Sequence, residues 1–222
     1  MNVLIAPFIY NHQFNYIRNQ VRHLQGTKKT VADPKILEAV QMSVHHNIMQ
    51  KFVELDEEQK QLLGSVASLQ TSEQLDSYIT TISQYRCSFP ELSSKQLQKT
   101  FAKVKKLKLP NIAEVDWLQT TYLGWSDIGQ NKMYIVYPWQ ERIVGIEGRI
   151  TPSQKGVCFL CNRHEQLGLF TAISKQRPAN ASPDYYKALG NYMCLDSTAC
   201  NHNITDVTIL ERFLSEIVSK KE

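Results

Sequence analysis

The sequence predicts an α+β protein in which an N-terminal antiparallel helical bundle precedes an α+β lobe with clustered cysteines. Three observations support this fold class. Apolar residues recur at helical spacing through the first half of the chain, strand-like runs appear after Pro110, and four of the five cysteines lie in the second half. A chain of 222 residues has room for two domains, which we place at residues 1–110 and 111–222.

Start signals divide most of the first domain into helices. Asn11 is predicted to cap a first helix that runs through Gln25. The second begins at Asp33-Pro34, where a capping side chain precedes a proline at the first helical position. The third and fourth begin near Asp56 and Thr71. Because the connections between these helices are short, we expect neighbouring helices to pack antiparallel.

A fifth predicted helix, which follows a capping box at Ser93 and ends at Pro110, is strongly basic. Residues 92–113 contain no Asp or Glu. The lysines that share one helical face, at spacings of i, i+4, i+8 and i+11, are Lys95, Lys99, Lys103 and Lys106. Such a face is either a solvated surface or a docking site for an acidic protein or a nucleic-acid backbone, and the sequence leaves both open.

The second domain is predicted to be rich in β-structure. Strand-like runs at 134–137 and 142–146 indicate a hairpin that turns around Pro138, and the residues from Ile150 onward indicate a turn into the first cysteine pair. The remaining predicted elements are a strand at 167–174, a loop at 175–190 and an amphipathic helix that begins at Thr205 or Asp206.

Four cysteines of the second domain form two pairs, Cys158-x2-Cys161 and Cys194-x5-Cys200, with 32 residues between the pairs. Thiolates are preferred zinc ligands, and four of them close the coordination shell without leaving a position for a substrate water. A first pair on a tight turn, a β-rich stretch, and a second pair leading into a helix is the order of a treble-clef finger. The spacing therefore predicts one structural Zn²⁺.

Other interpretations of these cysteines remain open at this point. The first pair also has the spacing of a redox motif, although such a pair normally opens a helix and needs no second pair. His164 and His202 lie near the two pairs, and His202 is the better candidate to replace Cys200 as a ligand. Both histidines are otherwise interpreted as exposed loop residues.

The sequence shows no residue set typical of catalysis. It lacks a glycine-rich phosphate loop, a Gly-x-Ser-x-Gly elbow and a His-Glu-x-x-His helix. The formal net charge of +4 is mild, and the N-terminus has neither the charged region nor the cleavage site of a signal peptide. No run of residues is long and apolar enough to span a bilayer. We expect a cytoplasmic binding protein with no membrane association, not an enzyme.

Six segments spread over nearly the whole chain carry a recognisable pattern. They are FNYIRNQV, LQKTFAKVKKLKLP, residues 123–126 (LGWS), 132–135 (KMYI), 156–161 (GVCFLC) and 191–200 (NYMCLDSTAC). In these segments the chain resembles the FusB-type fusidic-acid resistance proteins, also called elongation factor G-binding proteins. The resemblance implies a helical bundle followed by a treble-clef zinc finger. It places the zinc ligands at the four paired cysteines, which makes His202 a weaker candidate.

The resemblance also implies a function. Members of the family bind elongation factor G, a translational GTPase that fusidic acid traps on the ribosome with GDP, and promote its release so that translation resumes. The implied role is target protection through the zinc-bearing domain, and we expect a monomer. The implied contacts with the factor are Tyr192 and Phe213, and Phe213 has packing of the terminal helix as its alternative role. Some members carry an aromatic residue where this chain has Val157, and a lysine where it has Leu189.

Two functions compete with this expectation. The basic residues Lys103, Lys105 and Lys106 would assist docking on elongation factor G, or would instead approach ribosomal RNA. A zinc-finger protein that binds ribosomal RNA or other nucleic acid is therefore the alternative, and it would bind RNA alone with a steep salt dependence. A surface adhesin is the third hypothesis, against which the missing signal peptide counts.

Overall fold

The computed structural model describes residues 5–176, 178–182 and 184–218. The chain divides into two compact units, Met1–Cys87 and Ser88–Glu222. The sequence places the boundary later, at residue 110. The structure differs because Phe89, Leu92 and Leu97 are buried against strand residues of the second unit, so that the segment before residue 110 belongs to that unit.

The first unit is an antiparallel helical bundle. Its helices are α1 (Asn11–Thr30), α2 (Pro34–Met49), α3 (Glu57–Gly64), which continues as a short 3₁₀ turn (Ser65–Ser68), and α4 (Ser72–Ser83). Helix α1 packs against both α2 and α4. Its buried stripe includes Phe14, Ile17, Val21 and Leu24, which is the periodicity that the sequence shows.

The predicted helix starts are confirmed by their caps. The Asp33 carboxylate accepts a hydrogen bond from the backbone N–H of residue 35, and Pro34 occupies the first helical position. The Asp56 and Thr71 side chains each accept the N–H three residues later and form complete capping boxes. Helix α1 is longer than predicted, since it continues beyond Gly26, and its N-cap is Tyr10 instead of the predicted Asn11.

The second unit is built on one antiparallel sheet with strand order β1-β2-β3-β4-β5. The strands are β1 (Leu123–Asp127), β2 (Lys132–Trp139), β3 (Arg142–Val157), β4 (His164–Ile173) and β5 (Ala188–Cys194). The helices of this unit are α5 (Ser94–Thr100), α6 (Ser197–Asn203) and α7 (Thr208–Ile217). Among the described residues no helix has the length and hydropathy needed to cross a membrane.

Several strand predictions are corrected by the structure. Pro138 lies within β2 opposite Ile143, and the hairpin turns instead at Gln140 and Glu141, whose φ angles are 50° and 60°. Strand β3 does not turn at Ile150 but runs on to the first cysteine pair, with an irregular register between residues 152 and 155. Strands β1 and β5 are not predicted, and β5 begins inside the predicted 175–190 loop.

The predicted basic helix is much shorter than expected. Helix α5 ends at Thr100, and Lys103, Lys105 and Lys106 lie on the turns that follow, with Lys106 in the left-handed region at a φ of 61°. The ring of Phe101 packs edge-on against the rings of Trp125 and Tyr134, at centroid distances of 5.6 and 5.2 Å. The prediction of a single helical lysine face is therefore wrong.

The two faces of the sheet are covered differently. Helix α7 covers one face, where its residues Leu210, Phe213, Leu214 and Ile217 join a buried cluster with Phe170 of β4. On the other face, α5 and the residues after it cover the β1–β2 end. The β3–β5 end of that second face lies open and includes Arg149, Leu169, Thr171, Ile173 and Tyr192. We call these five residues the open face.

Candidate metal centre and partner surface

The four paired cysteines meet at one end of the sheet. Cys158 and Cys161 lie on the tight turn between β3 and β4, Cys194 is the last residue of β5, and Cys200 lies in the middle of α6. All four are buried. Their sulfur atoms lie within 4.8 Å of one another.

Backbone hydrogen bonds shape the turn that holds the first pair. The Cys158 N–H donates to the Arg163 carbonyl, and the Asn162 N–H donates to the Cys158 carbonyl, both at 2.9 Å. The Leu160 N–H points at the Cys158 Sγ at 3.4 Å. Asn162 has a left-handed φ of 54°, which an asparagine adopts more readily than most residues. This turn is a zinc knuckle in its geometry.

Helix α6 holds the second pair in place. The Asp196 carboxylate caps the helix by accepting the N–H groups of Thr198 and Ala199 at 2.8 and 3.3 Å. This cap begins the helix three residues after Cys194 and so brings Cys200, one turn later, back toward the knuckle. The knuckle is also tied to β5, because the Phe159 N–H donates to the Tyr192 carbonyl at 3.0 Å.

Asn201 fastens α6 to the chain that leads into β1. Its Oδ1 accepts the backbone N–H groups of Thr121 and Tyr122 at 2.8 and 3.1 Å, and its Nδ2 donates to the Tyr122 carbonyl at 2.8 Å. The Ser197 hydroxyl adds a bond to the Gly124 carbonyl at 2.6 Å. Sequence reasoning does not find these residues, because no local pattern marks a contact between segments so far apart in the chain.

The sulfur positions fit a tetrahedral zinc ion. The Cys158–Cys200 and Cys161–Cys194 sulfurs lie 3.9 and 3.6 Å apart, and none of the four cysteines is in a disulfide. Four sulfurs at about 2.3 Å from a common tetrahedral centre lie about 3.8 Å from one another. The spacing in the structure therefore matches this ligand set without rearrangement.

The electrostatics of the cluster also favour a cation. Hydrogen bonds from Cys161 and Cys194 lower the pKa of the Cys158 thiol, whereas the neighbouring Cys158 and Cys161 raise the pKa of Cys200. Thiolates so close together in a buried site repel one another, so protons are shared among the four sulfurs. A divalent cation bound by these sulfurs releases those protons and stabilises all four thiolates.

The histidine alternatives lie outside the sulfur cluster. Within the described residues, the metal-ligating atoms gathered at this point are the four cysteine sulfurs alone. His164, at the start of β4, and His202, on α6, are both exposed. The geometry therefore does not support the alternative in which His202 replaces Cys200 as a metal ligand.

The residues predicted to contact a partner have very different surroundings. Tyr192 is 50% exposed on the open face, and Val157, beside the first ligand, is 58% exposed. Phe213 is only 6% exposed, and its ring packs against Phe159 and Phe170 with centroids 5.6 and 6.0 Å apart. Leu189 is half-buried and packs against the core beneath α7.

The fold and the cysteine cluster define a treble-clef zinc-finger protein with an additional helical domain. Residues 95–215 match the family model described as the FBP C-terminal treble-clef zinc-finger, and residues 8–90 match the model of the elongation factor G-binding protein N-terminal region. The chain belongs to the elongation factor G-binding protein family.

Comparison with solved structures gives the same result. The structure of the fusidic acid resistance protein FusC is similar to this chain with a TM-score of 0.77 and 29% sequence identity. The similarity covers 97% of this chain and 100% of the FusC chain. Comparison with curated protein sequences finds no match.

Proposed function

We propose that this protein binds elongation factor G through its zinc-finger unit and promotes the release of the factor from ribosomes on which fusidic acid has trapped it. Translation then resumes, and the drug is neither modified nor exported. The observation that carries this proposal is the family membership over residues 8–90 and 95–215. The similarity to FusC, a protein named for fusidic acid resistance, supports the link to the drug.

A single zinc ion with a structural role is part of the proposal. The ligands are Cys158, Cys161, Cys194 and Cys200, whose sulfurs have the required spacing. Four thiolates leave no open position on the metal for a reacting water, so the zinc supplies folding free energy instead of chemistry. Its effect is to hold the knuckle, the end of β5 and α6 together.

The open face is the proposed contact surface for elongation factor G. Tyr192 stands at its edge on β5, close to the metal centre in sequence and half-exposed. Its cross-strand neighbour is Leu169, and Ile173, two residues after Thr171, is 63% exposed. An exposed tyrosine beside apolar neighbours is the composition typical of residues that dominate binding energy at protein interfaces.

Phe213 and the three lysines have different proposed roles. Because Phe213 is buried between Phe159 and Phe170, we expect it to support the surface by packing and not to touch the partner. Lys103, Lys105 and Lys106 are exposed on the turns after α5. Their proposed effect is a long-range attraction to an acidic partner, which raises the association rate more than the affinity.

The proposed mechanism is binding without catalysis. The protein would act as a monomer in the cytoplasm, where the ribosome and its factors are found. Each step is then a binding equilibrium. The protein would bind preferentially to a conformation of the factor that has lower affinity for the ribosome, and so shift the factor toward that conformation.

Titration calorimetry with purified elongation factor G and the zinc-loaded protein tests the binding. We expect a one-to-one complex at micromolar concentrations, and about a tenfold or greater loss of affinity for Tyr192→Ala. Tyr10→Ala, which alters a tyrosine 58% exposed on the first unit, is the matched control and should bind normally. No complex with the zinc-loaded wild type would exclude the proposal.

Ribosome cosedimentation tests the release step separately. In the presence of fusidic acid, added protein should move the trapped factor from the ribosome pellet to the supernatant, and Tyr192→Ala should do so less. Binding to ribosomal RNA alone, with an affinity that falls steeply with salt and is lost when Lys103, Lys105 and Lys106 are changed to Gln, would favour the RNA-binding alternative.

A further inference from the structure

Tyr122 is a buried tyrosine whose hydroxyl has no hydrogen-bond partner among the described residues. The residue is 0% exposed and lies in the same core cluster as the four cysteines. An unpaired hydroxyl in a protein interior is costly, since it loses its bonds to water and gains none in return. A hydrogen-bond acceptor for this hydroxyl would therefore lower the free energy of the folded state.

The candidate acceptor is the Cys200 sulfur, because Cys200 lies in the same buried cluster and its neighbour Asn201 is hydrogen-bonded to the Tyr122 backbone. Burial is the largest cause that raises the pKa of Tyr122 well above its ordinary value, and the charge of Cys200 is the next. The Cys158 and Cys194 sulfurs also act on the hydroxyl, although less strongly. A tyrosine hydroxyl can donate a hydrogen bond to such a sulfur.

The backbone holds this hydroxyl in position. Asn201, the residue directly after Cys200, makes three hydrogen bonds to the backbone of Thr121 and Tyr122. A side chain at position 124 would collide with the Tyr122 ring and the Ser197 Cβ at 2.8 and 2.9 Å, so Gly124 is what allows the ring to lie against α6. The helix that carries the Cys200 ligand and the ring that carries the hydroxyl are therefore fixed to each other.

We infer that the Tyr122 hydroxyl donates a hydrogen bond to the Cys200 thiolate when zinc is bound, and that it is a positioning residue for the metal centre. The zinc proposal is assumed here. A thiolate bound to zinc carries more negative charge than a thiol and is a better acceptor, so the bond forms where the metal-free cluster leaves the hydroxyl unpaired. Partners of this kind orient metal ligands and strengthen metal binding.

The test compares two tyrosine hydroxyls in the same unit. Tyr122→Phe removes the hydroxyl beside the sulfurs. Tyr134→Phe is the matched control, because Tyr134 is also 0% exposed, its hydroxyl also has no partner among the described residues, and it belongs to a different core cluster. Zinc affinity is measured by competition with a chromogenic chelator, and the Co²⁺-substituted proteins are examined by their sulfur-to-cobalt charge-transfer absorption.

The expected result is about tenfold weaker zinc binding for Tyr122→Phe, with its charge-transfer band at lower energy because the sulfur loses a hydrogen bond. Tyr134→Phe should match the wild type in both measurements. Unchanged affinity and absorption in Tyr122→Phe, or equal changes in both variants, would overturn the inference. A wild-type protein that binds neither zinc nor Co²⁺ would instead overturn the zinc proposal, so the two failures are distinguishable.

Discussion

Replacing Asn201 by alanine removes the side chain that fastens α6 to the segment before β1. In the wild type, Asn201 is 6% exposed and makes hydrogen bonds of 2.8, 3.1 and 2.8 Å to two backbone N–H groups and one carbonyl. The variant Asn201→Ala leaves these three backbone groups, which belong to Thr121 and Tyr122, without that partner in the protein interior.

The expected loss of stability follows from these three bonds. Leaving one buried polar backbone group unsatisfied costs about 1–3 kcal/mol. Water entering the vacated space recovers part of this cost, so we take the lower end for each group and expect a total loss of about 3 kcal/mol. With an m-value of about 2 kcal/mol/M, the urea midpoint falls by about 1.5 M.

Urea unfolding followed by tryptophan fluorescence measures the loss of stability of the second unit. The three tryptophans, Trp117, Trp125 and Trp139, all lie in the second unit, so the signal reports that unit alone. Free zinc is held constant with a metal buffer, because a ligand that binds only the folded state adds to the apparent stability.

Asn203→Ala is the matched control in the same helix. Asn203 is half-buried, and its amide donates to the Ala199 carbonyl within α6, so we expect a loss of about 1 kcal/mol or less. If Asn201→Ala lowered stability no more than Asn203→Ala does, the reasoning that Asn201 anchors the metal-bearing helix would be refuted.

Three further predictions concern stability. Zinc removal by a chelator should abolish the cooperative fluorescence transition of the second unit, because such sites supply on the order of 10 kcal/mol of folding free energy. The far-UV circular dichroism signal of the helices in the first unit should remain. An unchanged fluorescence transition would argue against a structural zinc. Gly148→Ala should lower the free energy of unfolding by about 1–3 kcal/mol, because the new methyl group would collide with the Phe170 ring. Gly26→Ala, which has open space around it in α1, should raise it by up to about 1 kcal/mol. Similar effects at both sites would contradict the packing. Burial raises the pKa of Asp127, but hydrogen bonds, led by that from Gln130, outweigh burial and lower the pKa overall. The ionised Asp127 therefore stabilises the folded wild type, and this stabilisation should be lost as the pH falls from about 3.9 through the lowered pKa. Asp127→Asn should show a shallower acid transition in the fluorescence assay.

Helix starts in the first unit are predictable because each depends on residues that are adjacent in sequence. Asp33, Asp56 and Thr71 all cap with their own side chains. The end of α5 is different, since it depends on distant residues. Phe101 leaves the helix and packs its ring edge-on against Trp125 and Tyr134, and no local pattern in the sequence indicates this contact.

The missed strand features have comparable causes. The hairpin between β2 and β3 turns at Gln140 and Glu141, both at positive φ, although neither is the glycine or asparagine that usually marks such a turn. Pro138 looks like the turn residue but is accommodated within β2. Strand β5 contains Gly190 and Asn191, which weaken its sequence signal, and it forms by pairing with β4.

At the metal centre, too, the features set by neighbouring residues are predictable from the sequence, and those set by distant residues are not. The spacing of the paired cysteines predicts the cluster because each pair forms its own local turn or cap. The supporting contacts are not predictable in this way, because Asn201 and Tyr122 lie 79 positions apart. Nothing in the identity of either residue indicates the other until the fold brings them together.

The cysteines of the cluster and the nearby residues proposed to meet a partner differ in exposure. Val157 and Tyr192 are exposed, whereas Cys158 and Cys194, one and two positions further along, are buried. Substitutions can therefore accumulate at the outward positions while the zinc ligands and their geometry stay the same. Under the proposed function, surface changes alone could alter the affinity for elongation factor G, and exchanging Val157 for an aromatic residue would change an exposed position without altering the four sulfurs.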